Sequence, residues 1–178
     1  MNLSAIGCVA LLLAGLGEGV GARAAQSGDA LIVTEHNVTI PMRDGTPLRA
    51  EILRPQRPEK FPVLVYRTPY GKDNALAEFT TFRHAVERGY AVVVQDVRGR
   101  YASGGEFSPY QNEGRDGYDT IEWAARQSWS DGNVGTFGLS YPGAVQWLAA
   151  VESPPHLKAM VPAMTFSTTV MLPQICNV

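Results

Sequence analysis

Two short runs of this sequence are apolar on both faces of an extended chain, and they restrict the fold more than any other feature. The runs are "FPVLVYRTPYG", which begins at Phe61, and "YAVVVQDVRGR", which begins at Tyr90. Strands are apolar on both faces when helices cover both sides of their sheet, as in parallel sheets. The segment between them, "ALAEFTTFRHAVERG", has apolar residues at a helical period and ends at Gly89, a typical C-terminal glycine. The three segments predict a parallel strand–helix–strand unit.

The flanking segments extend this unit into a larger sheet. "LIVTEHNVTIPM" partly alternates apolar and polar residues, and "RAEILRP" follows it after the turn-forming segment "RDGTPL", so the pair predicts an antiparallel hairpin. Later segments predict a helix, a strand, a helix and a last strand: "NEGRDGYDTIEWAARQ", "GNVGTFGLS", "YPGAVQWLAAV" and "LKAMVPAM". This alternation predicts an α/β domain with right-handed crossovers, a mostly parallel sheet and an N-terminal antiparallel hairpin.

The N-terminal segment has the pattern of a secretory signal peptide. "AIGCVALLLAGLG" is too short to span a bilayer, and the small residues Ala22 and Ala24 follow it as an A-x-A cleavage site. We therefore predict a signal peptide over residues 1–25 and a domain over residues 26–178. The protein is then periplasmic or extracellular, with no stable membrane span after removal of the signal. Because "MNLS" has no lysine or arginine, an apolar tail and a membrane anchor remain alternatives.

Composition and charge exclude several other functions. The chain is 45% hydrophobic, which suffices for a folded core, and its formal charge of -2 leaves no basic stripe for nucleic acid. The three histidines are dispersed, without the spacing of metal ligands. We expect no metal, no cofactor and no nucleic-acid partner. Cys8 lies in the predicted signal peptide, so Cys176 is expected to be unpaired.

The segment "TFGLSYPGAVQW" places Ser140 between a predicted strand and a predicted helix. A sharp strand-to-helix turn lifts one side chain above the carboxyl edge of a sheet, and the small residues Gly138 and Gly143 allow that turn to be tight. The free N–H groups of the helix stabilise negative charge at the same place. The pattern indicates a nucleophilic serine, although Pro142 and Gly143 depart from the common "GxSxG". The alternative is a serine that only caps the helix.

Five segments in this order resemble the X-prolyl dipeptidyl-peptidase and cocaine-esterase (CocE/NonD) family of α/β-hydrolases. The resemblance extends from about Thr34 to Pro162, and the family's serine stands in "GxSYxG". It implies the α/β-hydrolase fold and a serine hydrolase that transfers an acyl or aminoacyl group from a small ester, amide or peptide to water. The segments are "PMRDGTPL", "RTPYGK", "VVVQDVRGRYASGGEF", "IEWAARQSWSDGNVG" and "TFGLSYPG".

The resemblance also implies roles for individual residues. Ser140 would be the acylated nucleophile, Tyr141 would donate its backbone N–H to the oxyanion, and Tyr70 in "RTPY" would donate its hydroxyl. For Tyr70 the alternative is a buried aromatic side chain at a strand end. Asp96 and Arg98 are expected to be structural and to order the loop beside the site through charge-assisted hydrogen bonds.

The rest of a catalytic triad is not evident in the sequence. The triad order in this fold is serine, acid, histidine. Glu152 and His156 follow Ser140 but lie at the far end of the next helix, where ten residues span ~15 Å. His36 and His84 are expected at the surface or in the core. Because the family has its acid, histidine, cap and β-sandwich farther on, we interpret the chain as a C-terminally incomplete hydrolase with little activity of its own. The alternative is a non-catalytic truncated product or pseudoenzyme.

Overall fold

The two apolar runs form adjacent parallel strands in the middle of a six-stranded sheet. The computed structural model describes residues 31–166, so the predicted signal peptide and Cys176 lie outside the described residues. The strands are β1 (Ile32–Pro41), β2 (Pro47–Pro55), β3 (Phe61–Thr68), β4 (Ala91–Asp96), β5 (Ser130–Leu139) and β6 (Leu157–Ala163).

The strand order across the sheet is β1-β2-β4-β3-β5-β6. β1 pairs with β2, and β2 with β4, in antiparallel fashion, whereas β3 pairs in parallel with both β4 and β5, and β5 with β6. The predicted architecture, a largely parallel α/β sheet with an N-terminal antiparallel hairpin, is confirmed.

In the part of the chain that the structure describes, four helices connect the strands. They are α1 (Lys72–Glu78), α2 (Thr81–Glu87), α3 (Glu113–Ala125) and α4 (Tyr141–Val151). Gly89 follows α2 with a left-handed φ of 88°, as the sequence predicts for a glycine after a helix. Within residues 31–166, no helix has the length and apolar character needed to cross a membrane.

The prediction of one continuous helix over residues 75–89 is wrong, because the chain breaks between α1 and α2. Phe79 has an extended backbone (φ −107°, ψ 113°) and is 41% exposed, whereas Phe82 is buried. Thr80 and Thr81 follow Phe79, and β-branched residues lose side-chain freedom in a helix. The apolar period continues across this break, so periodicity alone does not reveal it.

Helices cover both faces of the sheet, as the apolar runs require. Three successive valines of β4 are fully buried, and they alternate between two core clusters. Val93 packs in a cluster with Ile121 of α3, whereas Val92 and Val94 pack in a cluster with Phe82 of α2. Each buried valine contributes about 1.5–3 kcal/mol relative to an exposed one, so this central strand is fixed from both sides.

Arg98 ties the loop after β4 to two other segments. Its Nε and Nη2 atoms donate to the two carboxylate oxygens of Asp116 on α3, at 2.9 and 2.6 Å. Its Nη1 donates to Asp44, at 2.8 Å, and to the hydroxyl of Thr46, at 2.6 Å, in the turn between β1 and β2. The predicted structural role of Arg98 is confirmed.

Asp96 and Gly99 fix the beginning of the same loop. A carboxylate oxygen of Asp96 accepts the backbone N–H of Lys72 at 2.6 Å, and its carbonyl oxygen accepts the hydroxyl of Ser103 at 2.7 Å. Gly99 has a φ of 66°, and a Cβ atom there would lie 2.1 Å from the backbone nitrogen of Phe107. Only glycine fits such a close backbone approach. The two hydrogen bonds of Asp96 give this residue a structural role, as predicted.

The substitution Asp44→Asn tests the Arg98 network through pH. The hydrogen bond from Arg98 lowers the pKa of Asp44 in the folded chain. The interaction therefore contributes its full stability above the unfolded pKa of about 3.9. This contribution decreases as pH falls from that value through the lower pKa of the folded state. We expect Asp44→Asn to lower the free energy of unfolding, measured by urea denaturation at pH 7. The difference from the wild type should become smaller towards pH 3. The exposed Glu106, changed to Gln, is the control; a loss that is equal at all pH values would contradict the assignment.

Candidate active site

Ser140 lies at the junction of β5 and α4, where the sequence predicts it. It is exposed, and its backbone has a φ of 65° and a ψ of −122°, a conformation that costs about 1–3 kcal/mol for a residue other than glycine. Its side chain makes no hydrogen bond to the helix N-terminus, so the capping alternative is not supported. Ser140 instead donates its N–H to the carbonyl of Ala163, and its own carbonyl accepts the N–H groups of Gly143 and Ala144.

Two glycines allow the tight turn around Ser140. A Cβ atom on Gly138 would lie 2.5 Å from Cβ of Pro142, and one on Gly143 would lie 2.9 Å from the carbonyl oxygen of Ala163. Both distances are too short for any side chain without a shift of the backbone. The small residues at these two positions therefore have the role that the sequence indicates for them.

Gln146 is a residue of the site that the sequence analysis missed. Its buried amide nitrogen donates to the carbonyls of Pro142 at 3.0 Å and Val161 at 3.2 Å, and its amide oxygen accepts the N–H of Val161 and the hydroxyl of Thr136, both at 3.1 Å. One side chain thus links α4, β5 and β6 beneath Ser140. A single polar residue within the apolar helix segment "GAVQWLAAV" is the signal that could have indicated it.

Tyr141 is buried beneath the turn. Its hydroxyl donates to Oε1 of Glu113 at 2.9 Å and accepts the backbone N–H of Tyr110 at 3.1 Å, and its ring stacks on Tyr110 at 4.4 Å. Burial, followed by the charge of Glu113, raises the pKa of Tyr141, so the hydroxyl keeps its proton. Tyr141 is the first residue of α4, where backbone N–H groups have no partner within the helix.

Tyr70 lies two residues beyond the end of β3. Its backbone N–H donates to the hydroxyl of Thr68 at 3.1 Å, and its carbonyl accepts the side-chain amide of Asn74 at 2.9 Å. It is 54% exposed, so the alternative of a buried aromatic side chain does not hold. Because β3 and β5 are adjacent and parallel, Tyr70 and Ser140 both follow strand ends at the same edge of the sheet. Its role as an oxyanion donor stays a prediction.

A cleft of about 400 Å³ opens at Ser140. Its lining residues are Tyr110, Ser140, Tyr141, Met164, Thr165 and Phe166. This set contains the exposed Ser140 and three aromatic rings but no histidine and no carboxylate. The cleft can therefore hold an apolar group beside Ser140, but the lining residues that the structure describes offer no general base.

The histidines of the described part of the chain have other surroundings. His36 lies 2.6 Å from the carboxylate of Glu51, and His156 lies 2.8 Å from the carboxylate of Glu122 on α3. His84 is on the exposed side of α2. His156 precedes β6 whereas Ser140 follows the parallel strand β5, so the two lie at opposite edges of the sheet, as expected from their distance in sequence. No group of three histidine, cysteine, aspartate or glutamate side chains in residues 31–166 is arranged to hold a metal ion.

Comparison with known proteins gives one consistent family. The model of the X-Pro dipeptidyl-peptidase (S15) family matches residues 44–173. Cocaine esterase of Rhodococcus sp. (strain MB1 Bresler) is 47% identical over 131 residues, which are 72% of this chain and 23% of that protein. A putative serine esterase of Mycobacterium tuberculosis is 29% identical over 150 residues, which are 71% of this chain and 24% of that protein. The chain thus spans about a quarter of the length of these curated relatives.

Solved structures show the same fold. A CocE/NonD family hydrolase from Staphylococcus aureus superimposes with a TM-score of 0.71 and 38% identity, covering 79% of this chain and 29% of that one. An α-amino acid ester hydrolase superimposes with a TM-score of 0.72 and 27% identity, covering 89% of this chain and 30% of that one. The family resemblance noted in the sequence is confirmed, and so is the α/β-hydrolase fold. The chain belongs to the X-Pro dipeptidyl-peptidase (S15) family of hydrolases.

Proposed function

We propose that this protein is a serine hydrolase that transfers an acyl or aminoacyl group from a small ester or amide to water through an acyl-Ser140 intermediate. The observation that carries the proposal is the exposed Ser140 at a strained strand-to-helix turn, with the N-terminus of α4 beside it. Family membership supports hydrolase chemistry, and the names of the relatives include esterases and an ester hydrolase. This chemistry requires no metal or cofactor.

In the proposed reaction, Oγ of Ser140 attacks the carbonyl carbon of the substrate and its proton passes to a base. The carbonyl π electrons move to the oxygen, which becomes an oxyanion. The backbone N–H of Tyr141 and the hydroxyl of Tyr70 donate hydrogen bonds to this oxyanion. Return of the electrons breaks the bond to the leaving group, which takes the proton from the base and departs as an alcohol or amine. Water then attacks the acyl-serine, the bond to Oγ breaks, and Oγ regains its proton as the acid is released. The rings of Tyr110 and Phe166, which line the cleft, supply an apolar wall for the acyl group.

Because none of the described cleft residues is a general base, we propose that acyl transfer at Ser140 is slow. Oxyanion donors and substrate binding without the base retain only a small part of the full rate gain. Hydrolysis of the acyl-serine also needs a base, so an acyl adduct should accumulate on Ser140. The same observation favours a second candidate, a protein with this fold that does not catalyse acyl transfer, and acylation of Ser140 distinguishes the two.

We further propose that residues 1–25 are removed during export, as their pattern predicts. Expression of the complete sequence in a secreting bacterial host should then give a protein whose N-terminus, determined by peptide sequencing, begins near Gln26. Retention of Met1 in the extracytoplasmic fraction would indicate an anchor instead.

The substitution Ser140→Ala tests the proposed nucleophile. After incubation with 4-nitrophenyl acetate, the wild-type chain is expected to carry one acetyl group, located by mass spectrometry in the peptide that contains Ser140. Ser140→Ala should carry none, because the attacking oxygen is absent, whereas Ser108→Ala, at another exposed serine, should react like the wild type. Equal acylation of Ser140→Ala would refute the nucleophile, and an unreacted wild type would favour the non-catalytic candidate.

The substitution Tyr70→Phe tests the proposed second oxyanion donor. It removes only a hydroxyl, and loss of one such donor slows reaction by about 100-fold or more. We expect the rate of acylation of Ser140 to fall by about 100-fold. Tyr101 is similarly exposed, so Tyr101→Phe is the matched control and should keep the wild-type rate. An unchanged rate in Tyr70→Phe would exclude the hydroxyl from the reaction.

A further inference from the structure

A buried ion pair lies beneath the turn that carries Ser140. Nη2 of Arg67, on β3, is 2.9 Å from Oε2 of Glu113, the first residue of α3, and both side chains are almost completely buried. Arg67 also donates from Nη1 to the backbone carbonyl of Glu113, at 2.9 Å, and from Nε to the side chain of Gln95, at 2.8 Å. The guanidinium thus holds the main chain of Glu113 by a hydrogen bond and its carboxylate by an ion pair that lacks hydrogen-bond geometry.

Such a pair is not explained by stability alone. Desolvation of two charges commonly cancels their attraction, so a well-packed apolar pair would be about as stable. Burial raises the pKa of Glu113, against the opposing effect of Arg67, because removal from water costs free energy for the charged form. Burying this carboxylate therefore costs free energy, which points to a role beyond stability.

The other oxygen of the carboxylate holds Tyr141. Oε1 of Glu113 accepts the hydroxyl proton of Tyr141 at 2.9 Å, and the backbone N–H of Tyr110 donates to the same hydroxyl at 3.1 Å. Stacking of the ring on Tyr110 restricts it further. Tyr141 is joined to Ser140 by one peptide unit, so the position of its ring constrains the orientation of its own backbone N–H.

We propose that Glu113, held by Arg67, is a positioning residue that fixes Tyr141 and thereby aligns the backbone N–H that faces the oxyanion on a substrate bound to Ser140. This inference rests on the proposed function. An oxyanion donor must lie about 2.7–3.1 Å from the developing charge, and tolerances of about 0.5 Å separate productive from unproductive sites. A hydrogen bond between a phenol and a buried carboxylate is of the strong, charge-assisted kind that can hold a side chain within such limits.

The position of Glu113 is itself determined by the loop network. Asp116 lies one helical turn after Glu113 on α3 and receives two hydrogen bonds from Arg98. The hydroxyl of Thr120, one turn farther, donates to Gln95, the same side chain that Arg67 contacts. These hydrogen bonds attach the first turns of α3 to β3 and β4. They thereby fix the position of the Glu113 carboxylate next to Tyr141.

The test uses the acylation of Ser140 by 4-nitrophenyl acetate, followed over a range of ester concentrations. Tyr141→Phe keeps the ring and the backbone N–H but removes the hydroxyl. We expect the maximal acylation rate to fall by about tenfold, as for loss of a hydrogen bond to a charged group, with an unchanged half-saturating ester concentration. Glu113→Gln keeps the shape of the side chain and should lower the maximal rate at least as much.

A double variant separates positioning from simple loss of stability. Because both substitutions disrupt one hydrogen bond, Tyr141→Phe combined with Glu113→Gln should acylate no more slowly than Glu113→Gln alone. Val86→Ala, in the core cluster of α2 on the other face of the sheet, is the destabilised control. Measured where it is fully folded, it should acylate at the wild-type rate. If Glu113→Gln does not fold, Tyr141→Phe alone decides the question.

The outcomes distinguish this inference from the proposed function. A wild-type acylation rate in Tyr141→Phe, with no acylation in Ser140→Ala, overturns the positioning role and leaves the nucleophile in place. A higher half-saturating concentration at an unchanged maximal rate also overturns it, because the hydroxyl would then act in substrate binding. Failure of the wild-type chain to acylate at Ser140 overturns the proposed function and this inference together.

Discussion

The strained backbone of Ser140 is the constraint on which the site depends. A left-handed φ at a residue with a side chain persists only when surrounding contacts outweigh its cost. Here the contacts come from three elements: β6 accepts the N–H of Ser140 through Ala163, α4 continues directly from its carbonyl, and Gly138 lets β5 meet Pro142 closely. The exposed hydroxyl is therefore a consequence of how three elements pack, and not a local property of the serine.

Much of the fold could be predicted from sequence because its determinants are local. The valines of β4 indicate a strand that is buried on both faces, and the two core clusters meet across that strand. The break between α1 and α2 could not be predicted in the same way. Phe79 and Phe82 keep a helical spacing, and only the packing of the folded chain leaves Phe79 partly exposed and buries Phe82.

The residues of the candidate site also differ in whether a local sequence pattern reveals them. Ser140 stands out because a glycine-flanked serine between a strand and a helix is a local pattern, and Tyr70 is found through the resemblance of "RTPY" to a family motif. The contacts of Gln146 with β6, of Glu113 with Tyr141 and of Arg67 with Glu113 all join residues that are far apart in sequence. On a helix or strand considered alone, each of these three side chains resembles a solvent-facing polar residue. Their burial becomes evident only when the sheet order brings β3, β5 and α3 together.

These buried polar side chains are concentrated on the part of the sheet that carries the turn. Gln146 satisfies the backbone of α4 and β6 with three hydrogen bonds, and Glu113 holds the ring next to Ser140 with one hydrogen bond of 2.9 Å. An apolar core could supply equal stability, but it would not fix the direction of a backbone N–H, because apolar contacts are not directional. Oxyanion stabilisation requires donors that are already oriented before the charge appears. On the proposed function, the free energy spent on burying these groups serves to orient the backbone donor, an effect that apolar packing would not provide.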